Sequence, residues 1–486
     1  MKLKFKAQET ITDAELQKGL RSVVIDGVMS HLMGVLTGGV FLVAISLQLG
    51  ASYFQIGLLA AIPPLAQLIQ LPAIFLIEKI GSRKTVAVYS VLISRCAFLL
   101  VALSPLLFPS SLGLLILIVA VLFSSAFGGI GGCAWNSWMR DLIPENQRGS
   151  FFSNRLRIAT ILGVFVSLAA SVFIDFWKKT YPQNEIYAYS GLFFAGFLVG
   201  LVGLLYLSRT PEPAVAPQKT ELIKLLLNPL RDKNFKRLMI ALGSWSFAVN
   251  LAAPFFTVYM LTKLGLGMSM IISLSILSQV FNFMFLSLWG KWTDKFSNKS
   301  VLAVSGPLFM ASILGWTFTT MPEKHFLTMP LVVLLHIVMG ISTAGVTIAS
   351  GNIGLKLAPK GRATVYLAAN ALVNSFAAGI APILGGKFAD FFAARNLSLV
   401  LKWSSPHREL VFQALNFQHW DFFFGVAFLI GLYALHRLSM VEEQGEVDDE
   451  IVRAEFLDAI KRPIRSLSSG AGLYQIISYP FISRKH

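Results

Sequence analysis

Charge is scarce in this sequence. Asp, Glu, Lys and Arg make up 14% of its 486 residues, against roughly 25% in an ordinary soluble domain. The shortage is local. No charged residue occurs from Gly27 to Ile77 or from Cys96 to Met139. Each of these runs has room for two helices of about 20 residues, the length that a ~30 Å hydrocarbon core requires. Gly50-Ala51-Ser52 divides the first run, and Pro105 with Pro109-Ser110-Ser111 divides the second. Eight shorter charge-free runs follow, at Ile158–Ile174, Ile186–Ser208, Leu238–Thr262, Leu264–Gly290, Ser300–Pro322, Phe326–Leu355, Ala363–Gly386 and Phe422–His436. The expectation is an all-α membrane protein with twelve transmembrane helices, because in lipid a spanning segment must satisfy its own backbone hydrogen bonds. No ten-residue alternating segments of the kind a membrane β-barrel needs are read here.

Other absences exclude other classes. The two cysteines, Cys96 and Cys133, lie in apolar runs, so no disulfide framework is expected. No Gly-x-x-x-x-Gly-Lys-Ser/Thr occurs, and the glycines Gly128–Gly132 lack the Lys-Ser/Thr of a phosphate loop. The seven His residues are scattered, without metal-ligand spacing. With no paired catalytic acids and no nucleophile–base set, the expectation is a non-enzyme without metal or cofactor. The first 20 residues are polar and the first apolar run is too long for a signal peptide, which predicts an uncleaved first helix.

The net charge of +16 would suit nucleic acid, but its placement does not. On a twelve-span reading, 32 of the 41 Lys and Arg fall on the side holding the N-terminus, including Arg140, Arg148, Arg155 and Arg157 as one loop cluster. Seven fall on the opposite side, and Arg95 and Lys387 fall within or at the end of spans. This is the positive-inside pattern, with both termini cytoplasmic and the lipid bilayer as partner.

Two halves follow one design. Arg21 matches Arg237, Leu49-Gly50-Ala51-Ser52 matches Leu266-Gly267-Met268-Ser269, and Glu78-Lys79-Ile80-Gly81-Ser82-Arg83-Lys84 matches Asp294-Lys295-Phe296-Ser297-Asn298-Lys299. Pro144…Arg148 matches Pro359…Arg362, all at an offset of about 215. The order implies an N-tail (1–21), a six-helix bundle (22–207), a linker (208–236), a second bundle (237–437) and a C-tail (438–486). In the linker, the basic-flanked Leu222–Leu227 reads as a short interfacial helix; in the tail, Ile451–Ile460 reads as amphipathic. Parallel six-helix repeats are a transporter architecture, with substrate held near the midplane.

The loop Gly290-Lys291-Trp292-Thr293-Asp294-Lys295 resembles the signature of the major facilitator superfamily. Its first-half copy has Ile74 for the leading Gly and Glu78 for Asp. Asp141-Leu142-Ile143-Pro144…Arg148-Gly149 and Ala381-Pro382-Ile383-Leu384-Gly385-Gly386 are also similar to that superfamily. The resemblance covers about residues 20–437. It implies alternating access, with Glu78, Lys79, Gly81, Arg83, Lys84, Asp141, Arg148, Gly290, Asp294, Lys295 and Arg362 in gating loops. Charge pairs there would latch helices in one state and release them in another. The fifth span has no proline, so the family's antiporter motif is missing and drug–proton antiport is less favoured.

Asp26 is the acid inside the first span, one face of which carries Ser30 and Thr37, with His31 beside it. An ionisable group within a span points to function, so Asp26 and His31 are candidates for proton coupling. Arg95 needs a partner such as Asp26, or a water-filled cavity. Uncharged polar and aromatic residues supply candidates for a small-molecule site. They are Gln67, Gln70, Asn136, Trp245, Asn250, Tyr259, Gln279, Asn282, His336, Thr343, Asn370 and Asn374. The resemblance implies that spans one, two, four, five, seven, eight, ten and eleven line the cavity. The expected function is secondary transport of a small solute, with protons as a candidate coupling ion, by a monomer in a bacterial inner membrane. The alternatives are an efflux antiporter and a receptor that keeps the fold without transport.

Overall fold

A computed structural model describes residues 7–214, 228–321, 324–405, 408–445 and 451. Among them twelve helices are long and apolar enough to cross a membrane. In chain order they are α1 (Asp13–Gln48), α2 (Tyr53–Ile80), α3 (Arg83–Leu107), α4 (Ser110–Leu142), α5 (Glu145–Thr180) and α6 (Pro182–Arg209), then α7 (Lys233–Thr262), α8 (Met268–Lys295), α9 (Asn298–Thr320), α10 (Thr328–Leu357), α11 (Ala363–Phe392) and α12 (Trp420–Ser439). The helices run past the charge-free stretches. One long extension is in α5, whose charge-free run begins only at Ile158, so Arg148, Arg155 and Arg157 belong to a helix rather than a loop. The expected interfacial helix at Leu222–Leu227 and all but the first residue of Ile451–Ile460 lie outside the described residues.

Helix starts repeat with the sequence. Ser82 Oγ accepts from the Thr85 N–H and Ser297 Oγ from the Ser300 N–H, so the third helix of each half is capped by equivalent serines. A cap of this kind satisfies a donor that the helix leaves orphaned. Thr12 with Glu15 and Ser52 with Gln55 form capping boxes at α1 and α2. Gly81, at φ 72°, ends the α-helical part of α2 in a left-handed turn that a Cβ would strain. Extended backbone at Gly38 divides α1 in two, and a 3₁₀ turn at Gln67–Ile69 follows Pro63-Pro64 in α2.

Burial repeats too. The most apolar windows of α2 and α8 are only 22% and 17% buried, those of α3 and α9 50% and 61%, so equivalent helices occupy equivalent environments. Large apolar side chains such as Leu100, Phe165 and Phe283 are exposed, as expected of a surface solvated by lipid.

By contacts the chain forms two units. One takes Met1–Thr220 with Ala253–Ser273 and Ala378–Phe391, the other the remainder. In the first, Leu20, Val23, Trp138, Leu142 and Leu207 form a core, and Trp138 Nε1 donates to the Pro211 carbonyl at 2.8 Å. In the second, Phe235, Leu238, Trp289, Val301 and Leu438 do the same, and Trp289 Nε1 donates to the Ile341 carbonyl at 2.9 Å.

One element departs from an all-helical reading. Between α11 and α12, β1 (Asn396–Ser405) and β2 (Arg408–Gln418) form an antiparallel hairpin with a bulge between Leu399 and Val400. Its first strand carries Leu397, Leu399, Leu401 and Trp403, which alternate in sequence with Ser398, Val400, Lys402 and Ser404. It is a near-alternating segment of the kind not expected from the sequence, a hairpin beside the spans and not part of a barrel.

Candidate functional site

The deepest charges lie in the first unit. Asp26 is 14 residues into α1 and 4% exposed; Arg95, midway along α3, is 3% exposed. Arg95 Nη2 donates to Asp26 Oδ1 at 2.9 Å and to Ser30 Oγ at 2.6 Å, and Ser30 Oγ donates to Asp26 at 3.3 Å. Arg95 Nη1 donates to the Gly200 carbonyl of α6. Gly200 and Gly203 make room: a Cβ on Gly203 would meet Asp26 Oδ1 at 3.1 Å and Arg95 Nη1 at 3.3 Å. A charge in hydrocarbon is tolerated when its partners are supplied in this way.

A second arginine, Arg155 on α5, lies against Gly27 so closely that any Cβ there would overlap its guanidinium. It stacks on Trp135 of α4, 4.8 Å from the ring centroid. His31, one turn above Gly27, packs on Gly163, two turns above Arg155. The sequence pattern alone groups Arg155 with the loop bases. The signal that would have found it is a basic residue at helical spacing from the apolar run that follows.

At the end of the helices where the chain enters, each half carries a carboxylate clasp. Glu212, just after α6, accepts from Ser82 Oγ (2.8 Å) and the Arg83 N–H (2.7 Å). Arg83 pairs with Asp141 and donates to the Pro213 carbonyl at 2.9 Å. Glu443, just after α12, accepts from Asn298 Nδ2 (2.8 Å) and the Lys299 N–H (2.7 Å) and pairs with Lys356 at 2.9 Å. Sequence reasoning missed both glutamates, although each stands within four residues of the end of its half's last helix.

The opposite helix ends in the first unit carry another repeated pair. Asp175, near the end of α5, accepts from the Met268 and Ser269 N–H groups that open α8, both at 2.8 Å. Asp390, near the end of α11, accepts from the Tyr53 and Phe54 N–H groups that open α2, at 3.1 and 2.9 Å. Every member is shifted by 215 residues from its counterpart. A carboxylate there meets unsatisfied donors and the positive end of the helix dipole. Glycine permits the approach: Cβ atoms on Gly57 and Gly386 would collide with the Pro382 and Tyr53 carbonyls.

Residues 27–406, more than half the chain, match the family model described as Major Facilitator Superfamily. The chain belongs to the major facilitator superfamily. Solved structures agree on the fold. A mutant of the nucleoside transporter NupG superposes with a TM-score of 0.62 at 12% identity, over 87% of this chain and 100% of that one. A D-xylose–proton symporter gives 0.61 at 15%, over 89% and 99%. A bacterial homologue of the iron transporter ferroportin, in an inward-facing state, gives 0.58 at 13%, over 88% and 98%. No curated protein sequence matches this chain. The protein is thus an integral, multi-pass membrane protein with a superfamily transporter fold.

The gating-loop residues of this superfamily member are engaged unequally. Arg83 and Asp141 pair; Arg148 donates to the Arg140 carbonyl at 2.8 Å and so closes the turn at Pro144; Lys295 stacks on Phe296. Glu78 and Asp294 are exposed and form no ion pair among the described residues. Lys79 and Arg362 are exposed, Lys84 is half-buried, and a Cβ on Gly290 would only touch Ile348.

The cavity candidates divide similarly. Thr37 and Asn250 bond to their own helices, to the Met33 and Ser246 carbonyls. Tyr259 is 1% exposed, and buried His336 holds the Val332 carbonyl with its ring against Trp316. Both are core side chains here. Gln67 and Gln70 bond to each other, Asn282 reaches the Gly340 carbonyl, and Trp245 packs on Phe309. Asn136 and Gln279 are exposed and Thr343 is half-buried. Asn370 and Asn374, one helical turn apart on α11, each bury an Oδ1 with no hydrogen-bond partner among the described residues. Such atoms are costly to leave unmet and so suit a ligand.

The Glu443 clasp has a pH signature. Burial pushes its carboxyl up, but Lys356, the Lys299 N–H and Asn298 outweigh that and hold it below the ordinary glutamate range. A depressed folded value means the stabilisation is present above the unfolded value, about 4.3, and is lost as pH falls through the folded one. Glu443→Gln should lower stability at pH 7 by about 1.5–3 kcal/mol, the scale of bonds to a charged group. In thermal melts of the two proteins the gap should close as the pH drops from 6 to 3; a constant gap would count against the clasp.

Proposed function

We propose that this protein is a secondary transporter that carries a small solute across the membrane by alternating access, with Asp26 taking up and releasing a coupling proton. One observation carries the reading. Of the buried carboxylates among the described residues, Asp26 alone lies away from a helix end. Glu185 and Asp421 sit in first turns, and Glu212 and Glu443 follow their helices. At that depth the Asp26 carboxylate is paired with Arg95 at 2.9 Å. A proton on Asp26 frees the guanidinium and unties α1 from α3, which is what a two-state element requires. The unequal engagement of the end groups supports alternation: Asp175 and Asp390 are bonded while Glu78 and Asp294 have no ion pair among the described residues, and a second state would exchange the sets. The charge asymmetry supports cytoplasmic termini, and the compact connections suit a monomer in a bacterial inner membrane. The bodies that move are the bundles 22–207 and 237–437. The solute is unchanged by passage.

The test is proton movement. Proteoliposomes loaded with a pH-sensitive dye are exposed to candidate solutes, and a transported one should acidify the lumen. Asp26→Asn should abolish acidification while the same solute still raises the melting temperature of the purified variant. Unchanged acidification in Asp26→Asn would sink the coupling role.

A further inference from the structure

Among the described residues Arg155 has no paired counter-ion. Asp26 is committed to Arg95 at 2.9 Å. Arg155 influences Asp26 through space but makes no ion pair or hydrogen bond among the described residues. With His31 neutral, Asp26, Arg95 and Arg155 sum to one positive charge. The polar atoms around it add to the imbalance. Arg155 Nε and the neighbouring Trp135 Nε1 are both buried without an acceptor. Both side chains are donors only, and a buried donor left without an acceptor is costly. Gly27 and Gly163 on the facing helices keep the space beside Arg155 and His31 free of Cβ atoms.

We propose that Arg155 and Trp135, with His31 at the edge, form a subsite for the carboxylate of a monoanionic organic solute. The inference rests on the transport reading above and names the substrate class. A carboxylate supplies acceptors alone, and its plane fits the guanidinium fork. Its single charge cancels the surplus, whereas a phosphate monoester would reverse it. The position also explains coupling. A carboxylate bound to Arg155 stands near Asp26, where two negative charges repel, so the solute and a proton on Asp26 favour each other's binding and cross together.

The experiment measures melting temperatures of the purified full-length protein with matched probes. Gluconate, lactate and benzoate are the monocarboxylates, glucose and benzamide the neutral counterparts, and glucose 6-phosphate the dianion. A ligand of the native state stabilises it by mass action. At least one monocarboxylate should stabilise wild type while its neutral counterpart does not. Arg155→Gln should weaken that binding at least tenfold, and Arg155→Lys should restore part of it. If Arg155→Gln fails to fold, Trp135→Phe keeps the ring, removes one donor and should weaken binding three- to tenfold. The proposal falls if no monocarboxylate stabilises wild type, if the phosphate or a neutral probe does better, or if the variants bind within twofold of wild type. A neutral solute that crosses liposomes would overturn the subsite and keep transport. Arg155-dependent carboxylate binding without dye acidification would keep the subsite and overturn proton-coupled transport.

Discussion

Arg95→Met should destabilise the protein by about 3–5 kcal/mol, the loss typical when one partner of a buried ion pair is removed. The reason is what it strands. Asp26, at 4% exposure, would lose its guanidinium contact, and Ser30 would lose its bond from Arg95, so the carboxylate must either hold an unpaired buried charge or take up a proton. Arg155 cannot take over where it stands, because it donates no hydrogen bond to Asp26 and is fixed between Gly27 and Trp135. The Gly200 carbonyl would lose its Arg95 donor as well. Replacing both partners reverses most of the damage, since apolar residues of similar volume often match or exceed a buried pair. Asp26→Leu/Arg95→Met should therefore recover to within about 1–2 kcal/mol of wild type. A double-mutant cycle of unfolding in detergent isolates the coupling. Additive losses, with the double variant the least stable, would mean that the pair does not hold α1, α3 and α6 together. The double variant should also show no solute-dependent proton uptake, which separates folding from coupling.

The same residues show what a sequence can and cannot convey. The spans were legible because the bilayer imposes length and apolarity on every one of them. The repeat was legible because turns and caps tolerate few residue types: Gly50 and Gly81 take left-handed backbone, and Ser82 and Ser297 cap equivalent helices. Arg155 was misread because one turn of helix can extend past an apolar run, and a basic residue there looks like a loop charge. Glu212, Glu443, Asp175 and Asp390 were missed for a different reason. Their partners are backbone N–H groups far away in the chain, and a backbone amide carries no mark in the sequence. The hairpin went unread because one alternating strand, with a bulge at Leu399/Val400, is a weak signal beside twelve strong ones.

The second large effect is expected at the far helix ends, from Asp175→Asn with Asp390→Asn. Each aspartate uses both oxygens on two consecutive N–H groups at the start of another helix. Asparagine has one acceptor oxygen and no charge, so it keeps one of the two backbone N–H bonds and loses the attraction to the helix dipole. Bonds to a charged acceptor are worth about 1.5–3 kcal/mol, so each substitution should shift the closed–open balance about tenfold or more. The two lesions should be similar, because the geometry repeats at the 215-residue offset. Together they should act nearly additively, about a hundredfold, if the two clasps open independently. Ala61, fully buried on α2 between the Asp390 clasp and the 3₁₀ turn, offers a reporter. In a background without Cys96 and Cys133, Ala61→Cys should react slowly with an impermeant maleimide from the far side. The rate should rise about tenfold with either substitution and about a hundredfold with both. Equal rates in parent and double variant would show that Asp175 and Asp390 cap helices without closing a gate. A rise with only one of them would break the symmetry on which the two-clasp reading depends. Asp→Glu at either site is the control, since it keeps the charge and lengthens the reach by one methylene, and it should fall between the two extremes.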